Sequence, residues 1–159
     1  MVVLADTSPL RYLILIDCHH VLPELFGTIH LPTAVRDELT HSAAPPLVRA
    51  WGLALPAWVT VHPDPLPAAA EPGLGRGEAA AVALALVLRA DLVLIDDRAA
   101  RQAAGRRGLV IAGTLAVLAM AGDAGYLDLD DALARLQRTN FRAAPALLQR
   151  LRAAPRRRT

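Results

Sequence analysis

Residues 2–5 (VVLA) and 92–95 (LVLI) are apolar at every position, and each run stops on carboxylates: Asp6 after the first, the adjacent Asp96 and Asp97 after the second. A strand with one face in water alternates apolar and polar side chains, whereas a short run without alternation fits a strand buried on both faces. Such strands belong to an open parallel sheet with helices on either side, and ligands bind such sheets outside the carboxyl ends of the strands. The two runs therefore set an architecture and an edge. They bring three acidic side chains to one end of the sheet, where like charges destabilise one another unless a cation or a proton compensates.

The segments between and beyond these runs fit the same plan. Ser8 and Pro9 give a cap and an early helical proline before a helix over 10–16. A short helix over 22–26 ends at Gly27, a second strand covers 28–31, and Pro32-Thr33 opens a helix over 33–40. A helix over 47–55 and a strand over 58–62 follow. Residues 62–77, rich in Pro and Gly, read as a long loop. The helix over 78–89 is apolar nearly all round and so should be central and buried. A strand over 91–95, a helix over 98–107 and a strand over 109–112 complete the alternation. Gly113-Thr114 opens a helix over 115–121, and surface helices are expected over 128–138 and 144–152. At 159 residues the chain fits one domain, taken as 1–153 with a basic tail over 154–159.

Composition narrows the chemistry. A hydrophobic fraction of 54% supports a core without staples, and Cys18, the single cysteine, excludes an intrachain disulfide and points to a reducing compartment. No basic-then-apolar leader is evident, and the most apolar run, 79–88, is far short of the roughly 20 residues that span a bilayer. The expectation is a cytoplasmic protein with no membrane partner. All 17 basic side chains are arginines. The absence of lysine argues against receiver-like switches and haloacid-dehalogenase-like phosphatases, which generally use one. Arginine suits phosphate through its planar fork of donors. It is concentrated at Arg98, Arg101, Arg106 and Arg107, and again at Arg150, Arg152 and Arg156 to Arg158. His19-His20 read as a surface pair, and His30, His41 and His62 have no partner at ligand spacing. Trp51 and Trp58 are expected in the core, and GLGRGE lacks the spacing and the preceding strand of a dinucleotide loop.

Five carboxylates carry the functional signal: Asp6, Glu38 on the third helix, Glu78 at the start of the apolar helix, and Asp96 with Asp97. Each has an ordinary alternative, as a turn or helix cap, a solvated helix face or a partner of the helix dipole. One cap cannot account for both Asp96 and Asp97. Oxygen ligands without clustered His or Cys suit a hard ion, Mg²⁺ or Mn²⁺, of the kind that activates water and neutralises phosphate. Arg98 and Arg101, one turn apart behind the acid pair, are the candidates for holding substrate phosphate. One of Asp96 and Asp97 is expected to cap the following helix, and the residues alone leave open which of them faces the metal.

Taken in order, VVLADTSPL, PTAVRDEL, GRGEAAAVALA, ADLVLIDDRAAR and GLVIAGTLAVLAMAGDAGYL resemble PIN-domain proteins of the bacterial toxin-like branch. The resemblance covers most of the chain and implies a three-layer α/β/α sandwich with a central parallel sheet. It further implies a Mg²⁺- or Mn²⁺-dependent ribonuclease, often the toxin of a toxin–antitoxin pair held by a small antitoxin, and often a homodimer. Asp6, Glu38, Glu78 and Asp97 would be its catalytic metal-binding acids, with Asp96 as a further ligand or the cap of the following helix. Ser8 would orient Asp6 or touch the RNA substrate, and Thr114 would support the site through its hydroxyl. The chain departs from the family pattern at Glu78, where aspartate is usual, and at Ile95, where threonine is usual. A catalytically weak or inactive PIN-like module that binds nucleic acid or protein is the alternative implied.

Overall fold

The computed structural model of the protein describes residues 1–66 and 72–154, so the tail arginines Arg156, Arg157 and Arg158 and part of the long loop lie outside the described residues. Five strands, β1 (Val3–Ala5), β2 (Ile29–Pro32), β3 (Val59–His62), β4 (Leu92–Leu94) and β5 (Ile111–Ala112), form one parallel sheet in the order β3-β2-β1-β4-β5. The helices are α1 (Thr7–Leu15), α2 (Val21–Phe26), α3 (Thr33–Thr40), α4 (Pro46–Leu53), α5 (Arg76–Val87), α6 (Arg98–Arg106), α7 (Thr114–Asp123), α8 (Leu129–Gln137) and α9 (Pro145–Ala153).

The unbroken apolar runs are explained by two cores, one on each face of the sheet. Val3, Ala5, Ile29, Leu31 and Leu94 point into the larger core with α1, α2, α4, α7 and α8. Leu4, Val93 and Ile95 point the other way, into a smaller core with Val82, Leu84 and Ala85 of α5 and Ala100 and Ala104 of α6. Because successive side chains leave a strand on opposite faces, both faces need apolar residues at every position. The result is the expected three-layer α/β/α sandwich.

Several boundaries differ from expectation. Helix α1 begins at Thr7, with Asp6 and not Ser8 at the capping position; its backbone is extended, but its side chain makes no capping bond. Only the middle of α5 is central: Ala81 to Ala85 are buried, while Leu86 and Val87 emerge into solvent. Strand β5 is an edge of two residues, shorter than the apolar run that contains it. Trp51 and Trp58 do lie against the larger core, their rings 5.8 Å apart.

The chain builds outward from β1 through β2 to β3, then returns to the other side of β1 for β4 and β5. Strand order thus reverses between β1 and β4, the crevice in which sheets of this kind bind ligands. Asp6 leaves the carboxyl end of β1, and Asp96 and Asp97 leave that of β4, so the reversal opens between them.

Candidate active site at the carboxyl edge of the sheet

Asp6 is fixed by the sheet. Its N–H donates to Leu94 O at 2.9 Å, and its side chain is buried, with the residue 2% exposed. Among the described residues its Oδ1 has no hydrogen-bond partner. Burial raises the carboxyl to a pKa of about 7; the nearby Thr7 N–H opposes this, and the negative Glu78, Glu38 and Asp96 add to it. An orphaned, buried carboxyl oxygen facing other carboxylates is costly in isolation. It marks a place built to meet a cation or a proton.

The other four carboxylates are each held by the chain itself. Glu38, on α3, accepts from the Thr7 hydroxyl and from Gly77 N–H at 2.9 Å. The second bond depends on glycine, since a Cβ at Gly77 would lie 2.6 Å from Glu38 Cδ. Glu78, in the first turn of α5, reaches back to Gly75 N–H at 2.8 Å, and its carboxyl is raised by burial and then by Asp97 and Glu38. It serves as helix cap and member of the acid cluster together.

Asp96 and Asp97 divide their work in a way that corrects one expectation. Asp97, not Asp96, caps α6, accepting from Ala100 N–H at 2.9 Å. Asp96 turns inward and accepts from the N–H of the buried Thr114 at 2.7 Å and from its hydroxyl at 2.6 Å. Burial raises the Asp96 carboxyl, and these bonds with Arg101 oppose the rise. Gly113 permits the approach, because a Cβ there would lie 2.8 Å from Asp96 Oδ1. Asp96 is coupled to Asp6 and Asp97 to Glu78, so both aspartates belong to the cluster.

The remaining predicted residues are split. Arg101 donates to Ile95 O at 2.9 Å and lines a groove with Asp96. Arg98 begins α6 and is exposed. Ser8 is partly buried in the first turn of α1, and the hydroxyl that reaches an acid there is its neighbour's, Thr7. Thr7 and Gly77 are the residues that sequence reasoning missed. Their signals were present, Thr7 directly after the first acid and Gly77 directly before Glu78, but their shared partner Glu38 is distant in sequence. The histidines need a correction too. His30 and His62 lie on adjacent strands with His30 Nδ1 and His62 Nε2 2.9 Å apart, a partnership that sequence spacing did not reveal. His19 is partly buried with its ring edge-on to Trp51, and His20 is exposed.

The donor set, all oxygen with one unpartnered buried carboxyl, fits a hard divalent cation. Its spacing is open: among the described residues no three His, Cys, Asp or Glu side chains are grouped closely enough to hold a metal ion. Among those residues, too, no helix is long and apolar enough to cross a membrane. A family model described as DUF3368, a PIN domain, matches residues 2–154. No curated protein and no solved structure matches the chain.

Proposed function

The chain belongs to the PIN-domain family, whose members are generally nucleases that typically use divalent metals, and on that premise we propose that it is a Mg²⁺- or Mn²⁺-dependent endoribonuclease. The observation that carries the reading is the orphaned Oδ1 of Asp6, buried at the strand-order reversal among Glu38, Glu78 and Asp96. A divalent ion bound there would offset the repulsion of the acids, neutralise phosphate oxygens and make water a better nucleophile.

Asp6, Glu38, Glu78 and Asp97 would hold the ion, with Asp96 as a further ligand. The chain's own residues prepare the site. Thr7 and Gly77 N–H orient Glu38. Thr114 orients Asp96. Arg101, anchored on Ile95 O, offers its remaining donors to a phosphate, and Arg98 extends this from the first turn of α6. Ser8 sits one residue beyond Thr7, where it can meet substrate. Water attacks phosphorus, one P–O bond of the backbone breaks, and the leaving oxygen takes up a proton. The motif resemblance supports a toxin role, with a small antitoxin as partner, a homodimeric state and a cytoplasmic setting.

One observation favours a second reading, a PIN-like module that binds nucleic acid or protein without cleaving. Four of the five carboxylates are already engaged by donors of the chain, and they must draw inward to share an ion. Incubating the protein with structured and single-stranded RNA in Mn²⁺, Mg²⁺ or EDTA, beside Asp6→Asn, decides between them. The nuclease reading expects cleavage that needs metal and falls about a hundredfold or more in the variant. Binding without cleavage under every condition favours the module, and equal cleavage by both proteins marks a contaminant.

A further inference from the structure

A groove of about 360 Å³ opens beside the acids, between α1, α3, the start of α4 and the first residue of α5. It begins at Thr7 and Glu38, and its walls carry Arg11, Asp37, His41 and Arg76. The charges on these walls balance in number, Arg11 and Arg76 against Asp37 and Glu38, but they are not paired one to one. Asp37 pairs with Arg36 at 3.3 Å and with Arg76 at 3.4 Å, and Arg76 also reaches Asp64 at 3.2 Å. Glu38 is taken by the Thr7 hydroxyl and Gly77 N–H. Arg11 makes no ion pair among the described residues, and its Nε is buried there without a hydrogen-bond partner. Its guanidinium carbon stands 5.9 Å from the centre of the Tyr12 ring, which leaves its hydrogen-bond donors unspent.

A buried guanidinium nitrogen without an acceptor is unfavourable unless a ligand supplies one. A second donor stands on the same wall. His41 Nδ1 accepts from Ala43 N–H at 3.1 Å, so in the neutral ring Nε2 carries the proton. The groove on the other side of the acids, about 420 Å³, has a different lining: Arg101 beside Asp96, with Arg142, Leu115, Phe141 and Leu147. Arg142 too has no ion pair among the described residues, but of the two grooves the first holds the guanidinium with a buried nitrogen that no acceptor meets.

We propose that the α1–α3–α4 groove binds a phosphodiester of the RNA strand adjacent to the one cleaved, with Arg11 as its principal donor and His41 as its second. This rests on the nuclease reading. A continuous strand that lays one phosphate over Asp6 must carry the next to one side, and this groove shares Thr7 and Glu38 with the acid cluster. Arg11 is thus a substrate-binding residue on α1, four positions beyond Thr7, and not one of the arginines that follow Asp97.

The test compares Arg11→Gln and Arg11→Lys, each in the full chain and in the Asp6→Asn background. A short single-stranded RNA is the probe, with thermal unfolding of every protein as the folding control. Arg11→Gln is expected to weaken RNA binding about tenfold. Its loss of affinity with rising salt should become shallower by about 0.7, the share of one single-strand phosphate. In the cleaving protein the larger part of the loss should fall in KM rather than kcat. Arg11→Lys, which keeps the charge, should restore the salt dependence. An unchanged KM, affinity and salt dependence in Arg11→Gln, with wild-type cleavage intact, overturns the groove assignment and leaves the nuclease standing. Failure of the wild type to bind or cleave RNA with Mn²⁺ or Mg²⁺ overturns both.

Discussion

The two ends of β4 carry acids of opposite kinds. At its start, exposed Asp91 accepts from Val2 N–H at 2.6 Å, and Asp91 N–H returns a bond to Val2 O at 2.8 Å. That carboxylate clamps two strands and is satisfied by one donor beside water. At its end, Asp96 and Asp97 join Asp6, Glu38 and Glu78, where carboxylates outnumber the donors that reach Asp6. An acid matched to its donors is explained by the fold. Acids in excess of donors, one of them buried with an unpartnered oxygen, are explained only by something the fold awaits.

The largest test of that contrast is the pH dependence of stability. The folded-state pKa of Asp6 is raised from 3.8 to about 7, so the folded chain holds this proton through a window in which the unfolded chain has lost it. Stability contributed by this group is therefore fully present below pH 3.8 and is lost as pH rises to about 7. The loss amounts to at most roughly 4 kcal/mol. In EDTA, denaturant unfolding should show wild type weakening from pH 5 to pH 8 more than Asp6→Asn, and Mn²⁺ should recover part of the difference. Parallel pH profiles for the two proteins would show that Asp6 is matched after all.

Gly77→Ala separates site from fold next. Alanine in a helix is favoured over glycine by about 1 kcal/mol, and the atoms it would meet are the end of the flexible Glu38 side chain. The melting temperature should hold or rise slightly while metal-dependent cleavage falls about tenfold or more, because Glu38 must swing away. A variant with full activity would remove Glu38 from the site.

The pair after β4 gives a finer comparison. Asp97→Ala should cost about 1 kcal/mol through its lost cap, whereas Asp97→Asn keeps the cap and leaves stability at least equal. Both should weaken metal binding, read by titration with Mn²⁺. Asp97→Asn with unchanged affinity would leave Asp97 as a cap alone. The smallest effect belongs to the far end. Asp91→Ala should lower stability by about 1 kcal/mol and leave cleavage at the wild-type rate. A cleavage defect there would erase the distinction between the two ends of the strand.

Much of this site was legible before folding was considered. Unbroken apolar runs announced strands buried on both faces, and carboxylates at their ends announced the edge at which chemistry would gather. What sequence misassigned was the finer division between neighbours. Asp96 and Asp97 are chemically identical, and which one caps α6 follows from where Thr114 stands, 18 residues on. Ser8 looked like a cap because Pro9 follows it, yet α1 starts a residue earlier and Thr7 takes the contact with Glu38. His30 and His62 had no ligand spacing because strand pairing, not helical periodicity, brings them together.

By itself, the sequence determined the layers, the parallel sheet and the edge holding the acids, because burial and alternation are local properties of each run. The tertiary structure decided which acid keeps an orphaned oxygen, which glycines make room and which arginine buries a nitrogen without an acceptor. Those outcomes depend on donors that arrive from segments distant in sequence, and a donor's reach is set by how the layers pack.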